Sequence, residues 1–160
     1  MRDPMRTRPW ILAILAILGS SAPSSAQGTP EDEVAIRQLI ESHAVAWDHH
    51  DAAAAAAPYR EDASVRLSDA RELQGRREIE EWHRELFRSK ALRASRHSHP
   101  GVMIRFLRPD VAVADVESRI TGMRGPDGVE LDPVEARLIM ILTRKGSVWR
   151  IAVQRTIAGG

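Results

Sequence analysis

The chain is 160 residues long, has a formal net charge of +1 and contains no cysteine. The absence of cysteine rules out both a disulfide and a lipid-modified cysteine within these residues. A hydrophobic fraction of 43% and a charged fraction of 28% are typical of a globular domain. The two signs of charge are interspersed and no basic stripe accompanies the aromatic residues, so nucleic acid is not an expected partner.

The start of the chain has the organisation of a secretory signal peptide. Three arginines precede the apolar run WILAILAIL at residues 10–18, and Ser24 and Ala26 fit a cleavage site of small residues. The apolar run is much shorter than the ~20 residues that a membrane-spanning helix needs. We predict a signal peptide over residues 1–26 and a single domain over residues 27–160. The mature protein would then be exported, periplasmic or secreted, with no membrane association after signal removal.

The first predicted helix runs from Pro30 to about Asp48. Thr29 is a suitable N-cap, proline suits the first helical position, and acidic residues follow in the first turn, where the helix dipole favours them. Apolar residues then recur at helical spacing, with one histidine among them. This face consists of Ile36, Leu39, Ile40, His43 and Trp47.

Two further helices are predicted before residue 90. Asp51 can cap a short alanine-rich helix that Pro58 ends, although a low-complexity linker is the alternative interpretation. Short strands follow at residues 63–68 and around Leu73. After Gly75 an amphipathic helix carries a second histidine on its apolar face, which comprises Ile79, Trp82, His83, Leu86 and Phe87.

Beyond Ser89 the hydrophobic period changes from helical to two. Four segments rich in β-branched residues have the length of strands, and turn-forming residues join them. Consecutive strands with short connections are expected to be antiparallel neighbours. The pattern predicts an α+β domain in which three N-terminal helices cover one face of a strongly curved antiparallel sheet. The four strand segments are residues 102–107, 111–120, 135–143 and 148–157.

The order of these elements resembles the cone-shaped fold of the ketosteroid-isomerase-like and SnoaL-like proteins, in the nuclear-transport-factor superfamily. Four stretches carry the resemblance, and the second and third of them also resemble the SgcJ/EcaC branch. The resemblance implies a cone-shaped α+β barrel with a cavity open at one end, which members use for isomerisation, cyclisation, dehydration or binding. It also implies a homodimer formed through the outer sheet face. The four stretches lie at residues 46–63, 74–83, 105–113 and 149–156.

Steroid isomerases of this superfamily use a carboxylate base, a tyrosine on the first helix and a second carboxylic acid on a later strand. The resemblance aligns Leu67 with the base, His43 with the tyrosine, and Leu138 or Met140 with the second acid. Leucine and methionine cannot transfer a proton. Steroid-isomerase chemistry as such is therefore not expected.

The two helical histidines suggest a site in the implied cavity. An imidazole with an ordinary pKa near 6.5 can donate or accept a proton at neutral pH. Arg155 interrupts an apolar strand face, so it is predicted to point inward, with a solvent-facing arginine as the alternative. Core histidines satisfied by the backbone are the alternative for both imidazoles. The candidate catalytic residues are His43 and His83, and the candidate ligand-binding residues are Trp47, Tyr59, Trp82 and Arg155.

A metal site is a further alternative. His97 and His99 form a His-x-His pair whose rings share one side of a strand, and Asp115 or Glu117 on a neighbouring strand could complete the ligand set. However, both carboxylates belong to the polar, outward face of their strand. We therefore assign no metal ligand, and the sequence contains no cofactor-binding motif.

Two functions are compatible with these residues. The first is an exported pocket protein that performs proton transfer of the isomerase, cyclase or dehydratase type on a small apolar ligand. The second is a non-catalytic ligand-binding or dimerisation domain, and whether the protein is an enzyme is left open. The dimer is predicted to use an outer sheet face formed by Arg150, Ala152, Gln154 and Thr156.

Overall fold

The structure is a computed structural model and describes residues 28–159, so the predicted signal peptide lies outside the described residues. Among residues 28–159, no helix is both long enough and apolar enough to span a membrane. The helices are α1 (Pro30–Asp48), α2 (Ala52–Ala56), α3 (Gly75–Phe87) and a 3₁₀ helix, Lys90–Leu92. The strands are β1 (Tyr59–Arg66), β2 (Glu72–Gln74), β3 (Arg96–Ser98), β4 (Val102–Arg108), β5 (Val111–Thr121), β6 (Val134–Lys145) and β7 (Val148–Ala158).

Local capping determines where the first two helices begin. The Thr29 hydroxyl accepts a hydrogen bond from the Asp32 backbone N–H, and the Asp32 carboxylate accepts one from the Thr29 backbone N–H, which completes a capping box. Asp51 accepts a hydrogen bond from the Ala54 backbone N–H at 2.9 Å and so caps α2. The alanine-rich segment is thus a helix, and the linker interpretation is wrong.

The strands form one sheet in the order β2-β1-β7-β6-β5-β3, and β4 pairs with β5 beside β3. β3 and β4 act as two parts of one edge strand, because they pair with opposite ends of β5. The predicted α+β fold class is confirmed. The sheet is mixed and not wholly antiparallel, because β1 runs parallel to β7. It is also an open sheet and not a closed barrel, because its edge strands do not pair with each other. Parallel neighbours need a long crossover connection, and α3 and the later strands provide it.

The core lies between the concave face of the sheet and the helices. Ile36 and Ile40 of α1 pack there with alternate residues of β5, which are fully buried. A bulge interrupts β7: Leu142 pairs with Ile151, whereas Ile141 pairs with Val153, so Ala152 is the extra residue. After the bulge, the side chains of β7 alternate in the opposite sense to that expected from a regular strand. This change of phase decides which side chains of β7 reach the interior.

Candidate functional site

A cavity of about 570 Å³ lies between the concave sheet and the helices. This volume is typical of sites for small molecules. Aliphatic and aromatic side chains from α1, α3 and the strands form most of the wall. His43, Trp47, Tyr59, Trp82 and His83, all predicted from the sequence to belong to one pocket, line this cavity.

The two helical histidines meet directly inside the domain. Nε2 of His43 lies 3.2 Å from Nε2 of His83, and Nδ1 of His83 donates to the carbonyl of Ile79 at 2.8 Å. Because a carbonyl only accepts, the neutral His83 ring carries its proton on Nδ1 and accepts at Nε2. His43 must then donate from Nε2, which leaves its Nδ1 without a proton. The pair therefore forms a directed chain from His43 through His83 to the helix backbone.

Burial keeps these rings neutral. It lowers the pKa of His83 to about 4, and the hydrogen bond to Ile79 offsets this only in part. Burial also lowers the pKa of His43 well below its ordinary value, and the neighbouring histidines lower it further by charge repulsion. The expectation of imidazoles that titrate near neutral pH is wrong, because burial disfavours the charged form and no carboxylate among residues 28–159 pairs with either ring.

Two more histidines join this cluster, His97 from β3 and His99 from the residue that follows the strand. Nε2 of His97 lies 2.8 Å from the Ser118 hydroxyl on β5, and the ring centroids of His43 and His97 are 5.3 Å apart. His99 lies beside them, 4.6 Å from His97 between ring centroids. Burial lowers the pKa of His97 to about 3 and that of His99 to about 4. Four imidazoles thus lie together at one end of the cavity.

The carboxylates considered as their partners lie elsewhere. Asp115 and Glu117 line a separate surface depression on the outer side of the sheet. They alternate with Ala114 and Val116, whose side chains are buried in the core. The outward orientation expected for both carboxylates agrees with the structure, whereas His97 and His99 form their cluster with His43 of α1.

The aromatic residues of the cavity are held by hydrogen bonds. The Tyr59 hydroxyl donates to Oε1 of Gln154 at 2.7 Å, and the Trp47 indole donates to the Ser95 hydroxyl at 3.0 Å. Burial raises the pKa of Tyr59, so its hydroxyl stays protonated. Trp82 packs edge-on against His83, with ring centroids 4.7 Å apart. These contacts fix the shape of the wall.

Arg155 does not point into the cavity, so that prediction is wrong. Its guanidinium donates to the backbone carbonyl of Ser64 at 3.0 Å and to that of Gln154 at 2.8 Å. The bulge at Ala152 explains the error, because it turns Gln154 and Thr156 towards the cavity and Arg155 away from it. Gln154 and Thr156 therefore do not lie on the outer face, and the predicted dimer face is wrong at these two positions.

Carboxylates lie only at the rim of the cavity among the described residues. Asp69 and Glu85 are its acidic lining residues, and both are exposed and paired with arginines. The resemblance to steroid isomerases aligns Leu67 with the base and Leu138 or Met140 with the second acid, and of these Leu67 and Leu138 line the cavity. Among residues 28–159, the interior therefore offers imidazole, amide and hydroxyl groups, without a carboxylate that could abstract a proton.

Comparisons with known proteins agree with this architecture. Residues 29–155 match the SnoaL-like domain. No curated protein matches the chain. The SgcJ/EcaC branch stays a prediction.

Solved structures share the fold at low sequence identity. A domain of unknown function with a cystatin-like fold from Nostoc punctiforme is 23% identical, with a TM-score of 0.72 over 82% of this chain and 80% of that one. A putative aromatic ring hydroxylase from Novosphingobium aromaticivorans is 22% identical, with a TM-score of 0.68 over 82% and 92%. LinA is 13% identical, with a TM-score of 0.73 over 81% and 87%. At these identities the likeness concerns the fold alone.

Proposed function

The chain belongs to the SnoaL-like domain family, and on that premise we propose that it binds a small, largely apolar molecule in the cone cavity. The observation that carries the proposal is the cavity of about 570 Å³ with a mainly apolar wall and a polar end. A ligand with an apolar ring system and one oxygen fits this division, because burial of apolar surface supplies affinity and a few polar groups fix orientation.

Few polar groups of the cavity could form a hydrogen bond with the ligand oxygen. Gln154, Thr156 and Ser118 line the cavity beside the histidines. The amide of Gln154 uses its oxygen to hold Tyr59, so its NH₂ group is the part that can donate to a ligand. We expect the ligand oxygen to accept from this amide.

The hydrogen bonds argue against His43 and His83 as the acid and base of a proton-transfer enzyme. Both nitrogens of His83 and Nε2 of His43 are engaged within the protein, and Nδ1 of His43 is buried. Burial lowers the pKa of His83 to about 4 and the pKa of His43 well below its ordinary value, so both neutral rings are weak bases at neutral pH. Ligand binding is therefore better supported than the isomerase, cyclase or dehydratase alternatives.

The binding proposal is tested with 2-naphthol, a bicyclic compound with one hydroxyl, followed by NMR of the tryptophan indole N–H groups. We expect Trp47 and Trp82, which line the cavity, to shift in a saturable manner. Trp149 is an internal control, because its indole donates to Asp32 on the far side of the core. Equal shifts of all three indoles, or none, would contradict binding in the cavity.

A cavity-filling variant sharpens this test. Ala136 lines the cavity, so Ala136→Phe should occupy ligand space and weaken 2-naphthol binding by at least about tenfold, equivalent to about 1.4 kcal/mol. Ala53→Phe makes the same exchange at an exposed position of α2 and should leave binding unchanged. Unchanged binding by Ala136→Phe would place the probe outside the cone.

We also propose a homodimer through the outer sheet face. Val113, Ile141 and Val153 are adjacent on β5, β6 and β7, and Ile141 is 36% exposed. Asp115 and Arg155 flank Ile139 on opposite sides in the next row. A two-fold axis through β6 would place the carboxylate of one copy near the guanidinium of the other, which favours self-association.

Sedimentation equilibrium tests the dimer. Ile141→Glu would bury a charge in this interface and should convert the dimer to a monomer. Val129→Glu, at a position that is 61% exposed in the β5–β6 connection, should leave the mass unchanged. A strictly monomeric parent protein at high concentration would overturn this proposal without affecting the cavity.

We propose further that residues 1–26 direct export and are removed. The basic start, short apolar run and small residues before Gln27 support this. Mass spectrometry of the protein produced with its own N-terminus should find a chain that begins at Gln27. Ala26→Trp should block cleavage, and an uncleaved parent chain would contradict the proposal.

A further inference from the structure

We infer that His43, His97 and His99 form a binding site for a divalent transition metal ion, with Zn²⁺ as the ion that best suits three imidazoles. One nitrogen of each ring lies within 4.8 Å of one nitrogen of each other ring. The ring centroids are 4.6 Å apart for His97 and His99, 5.3 Å for His43 and His97, and 6.2 Å for His43 and His99. The inference goes beyond ligand binding and does not depend on it.

Each of the three rings has a buried nitrogen without a hydrogen-bond partner among residues 28–159. These atoms are Nδ1 of His43, Nδ1 of His97 and both ring nitrogens of His99. A buried polar atom without a partner costs about 1–3 kcal/mol, so several such atoms in one cluster call for an explanation. A metal ion shared between the three rings satisfies one nitrogen of each.

The opposite nitrogens of two rings already have the partners that metal-binding histidines require. Nε2 of His43 donates to His83, which is held in turn by the Ile79 carbonyl. Nε2 of His97 contacts the Ser118 hydroxyl at 2.8 Å and donates to it when Nδ1 binds a metal. Such outer contacts fix the tautomer and orientation of a ligand ring. They give His83 a role in positioning His43.

The geometry is close to that of a three-histidine zinc site. With Zn–N bonds of about 2.0–2.1 Å, tetrahedral geometry places ligand nitrogens about 3.3 Å apart and ring centroids about 5 Å apart. The nitrogens of this cluster therefore need to approach by at most about 1.5 Å from the separation of up to 4.8 Å. Burial keeps the three rings neutral near pH 7, which is the state that binds metal.

The position of the cluster connects it to the cavity. His43 and His97 both line the cavity wall. A zinc ion held by three neutral ligands keeps its charge of +2 and a fourth position for water, an anion or a ligand oxygen. An ion at this end of the cavity would polarise an oxygen of a bound molecule, and among residues 28–159 the cluster contains no carboxylate to reduce that charge.

The test uses the protein without a histidine tag, freed of metal by a chelator and titrated with Co²⁺ alone. We expect one equivalent to bind, with the strong visible absorption of four-coordinate cobalt, and Zn²⁺ to displace it. His99→Ala should weaken Zn²⁺ binding by more than about tenfold, and Ser118→Ala by about tenfold, as loss of an outer-shell partner does. Zn²⁺ should also raise the Tm of the parent protein.

His49→Ala is the matched control, because it removes an exposed histidine at the end of α1. It should bind Zn²⁺ as the parent protein does. Absence of stoichiometric binding, or equal affinity of His99→Ala and the parent protein, would overturn the metal site. If His99→Ala does not fold, His99→Gln serves the same comparison. Binding of 2-naphthol in the metal-free protein remains a separate readout, so failure of either proposal is recognised independently.

Discussion

Among single residues, Tyr59 and Gln154 show how a polar pair in the cavity wall influences stability. Both are nearly completely buried, at 2% and 7% exposure, and they are joined by a hydrogen bond of 2.7 Å. Gln154→Leu leaves the Tyr59 hydroxyl buried without this acceptor and should lower the free energy of unfolding by about 1–2 kcal/mol. Urea unfolding of the variant and the parent protein provides the measurement.

The double variant Tyr59→Phe with Gln154→Leu separates the hydrogen bond from packing. Replacing both partners by apolar groups leaves no polar atom without a partner, so most of the lost stability should return. Double-mutant analysis then gives a coupling between the two sites. Independent, additive losses would show that this hydrogen bond does not determine the cost.

The local sequence predicts part of the candidate site, whereas the rest depends on a strand bulge and on tertiary packing. Helical spacing places His43 and His83 on apolar faces, which depends only on the local sequence, and both line the cavity. Gln154 lies on the face opposite to the predicted one because the β7 bulge shifts the phase of alternation. The contact of His43 with His97 depends on tertiary packing and has no signal in the local sequence.

Among the elements, the first turn of α1 also connects the helical layer to the sheet. The Asp32 carboxylate belongs to the capping box and accepts from Arg144 of β6 at 2.8 Å and from the Trp149 indole of β7 at 2.9 Å. Asp32→Ala leaves the indole N–H buried without this acceptor, and the arginine without its ion pair. We expect a loss of roughly 2–3 kcal/mol in the free energy of unfolding.

Glu33→Ala provides the matched control for this prediction. Glu33 lies in the same helical turn but pairs with Arg37 at the surface, where both side chains are nearly half exposed. Exposed pairs of this kind contribute less than about 1 kcal/mol. Urea unfolding curves of the two variants should differ clearly, and equal losses would show that Asp32 acts only as a local cap.

The bounds of helices and strands can be predicted where local residues determine them, whereas the pairing of distant strands cannot. The predicted bounds of α1 agree with the structure because its cap and first turn are encoded within a few residues. The predicted strands β4 to β7 are within one or two residues of the observed ones for a similar reason. The parallel pairing of β1 with β7 joins segments more than 80 residues apart, and no local pattern indicates it.

For the whole molecule, the four clustered histidines predict a loss of stability in mild acid. The folded protein keeps His83 neutral down to about pH 4, whereas the unfolded chain takes up its proton near pH 6.5. The unfolded state therefore binds more protons between these values, and stability falls as the pH falls. His83 alone accounts for a loss on the order of 3 kcal/mol when the pH reaches about 4.

The acid sensitivity is measured best above about pH 5, where carboxylates contribute little. Urea unfolding of the metal-free protein at pH 7, 6 and 5 should give a free energy of unfolding that decreases as the pH falls. The slope should correspond to several more protons bound by the unfolded state than by the folded state. Each imidazole that stays neutral adds up to about 1.4 kcal/mol per pH unit to that slope. Burial lowers the pKa of His99 to about 4, so His99→Gln removes one ring that stays neutral and should reduce the slope by somewhat less than about one proton. A stability that is flat from pH 7 to pH 5 would mean that water or counter-charges reach the cluster and that the rings are not held neutral.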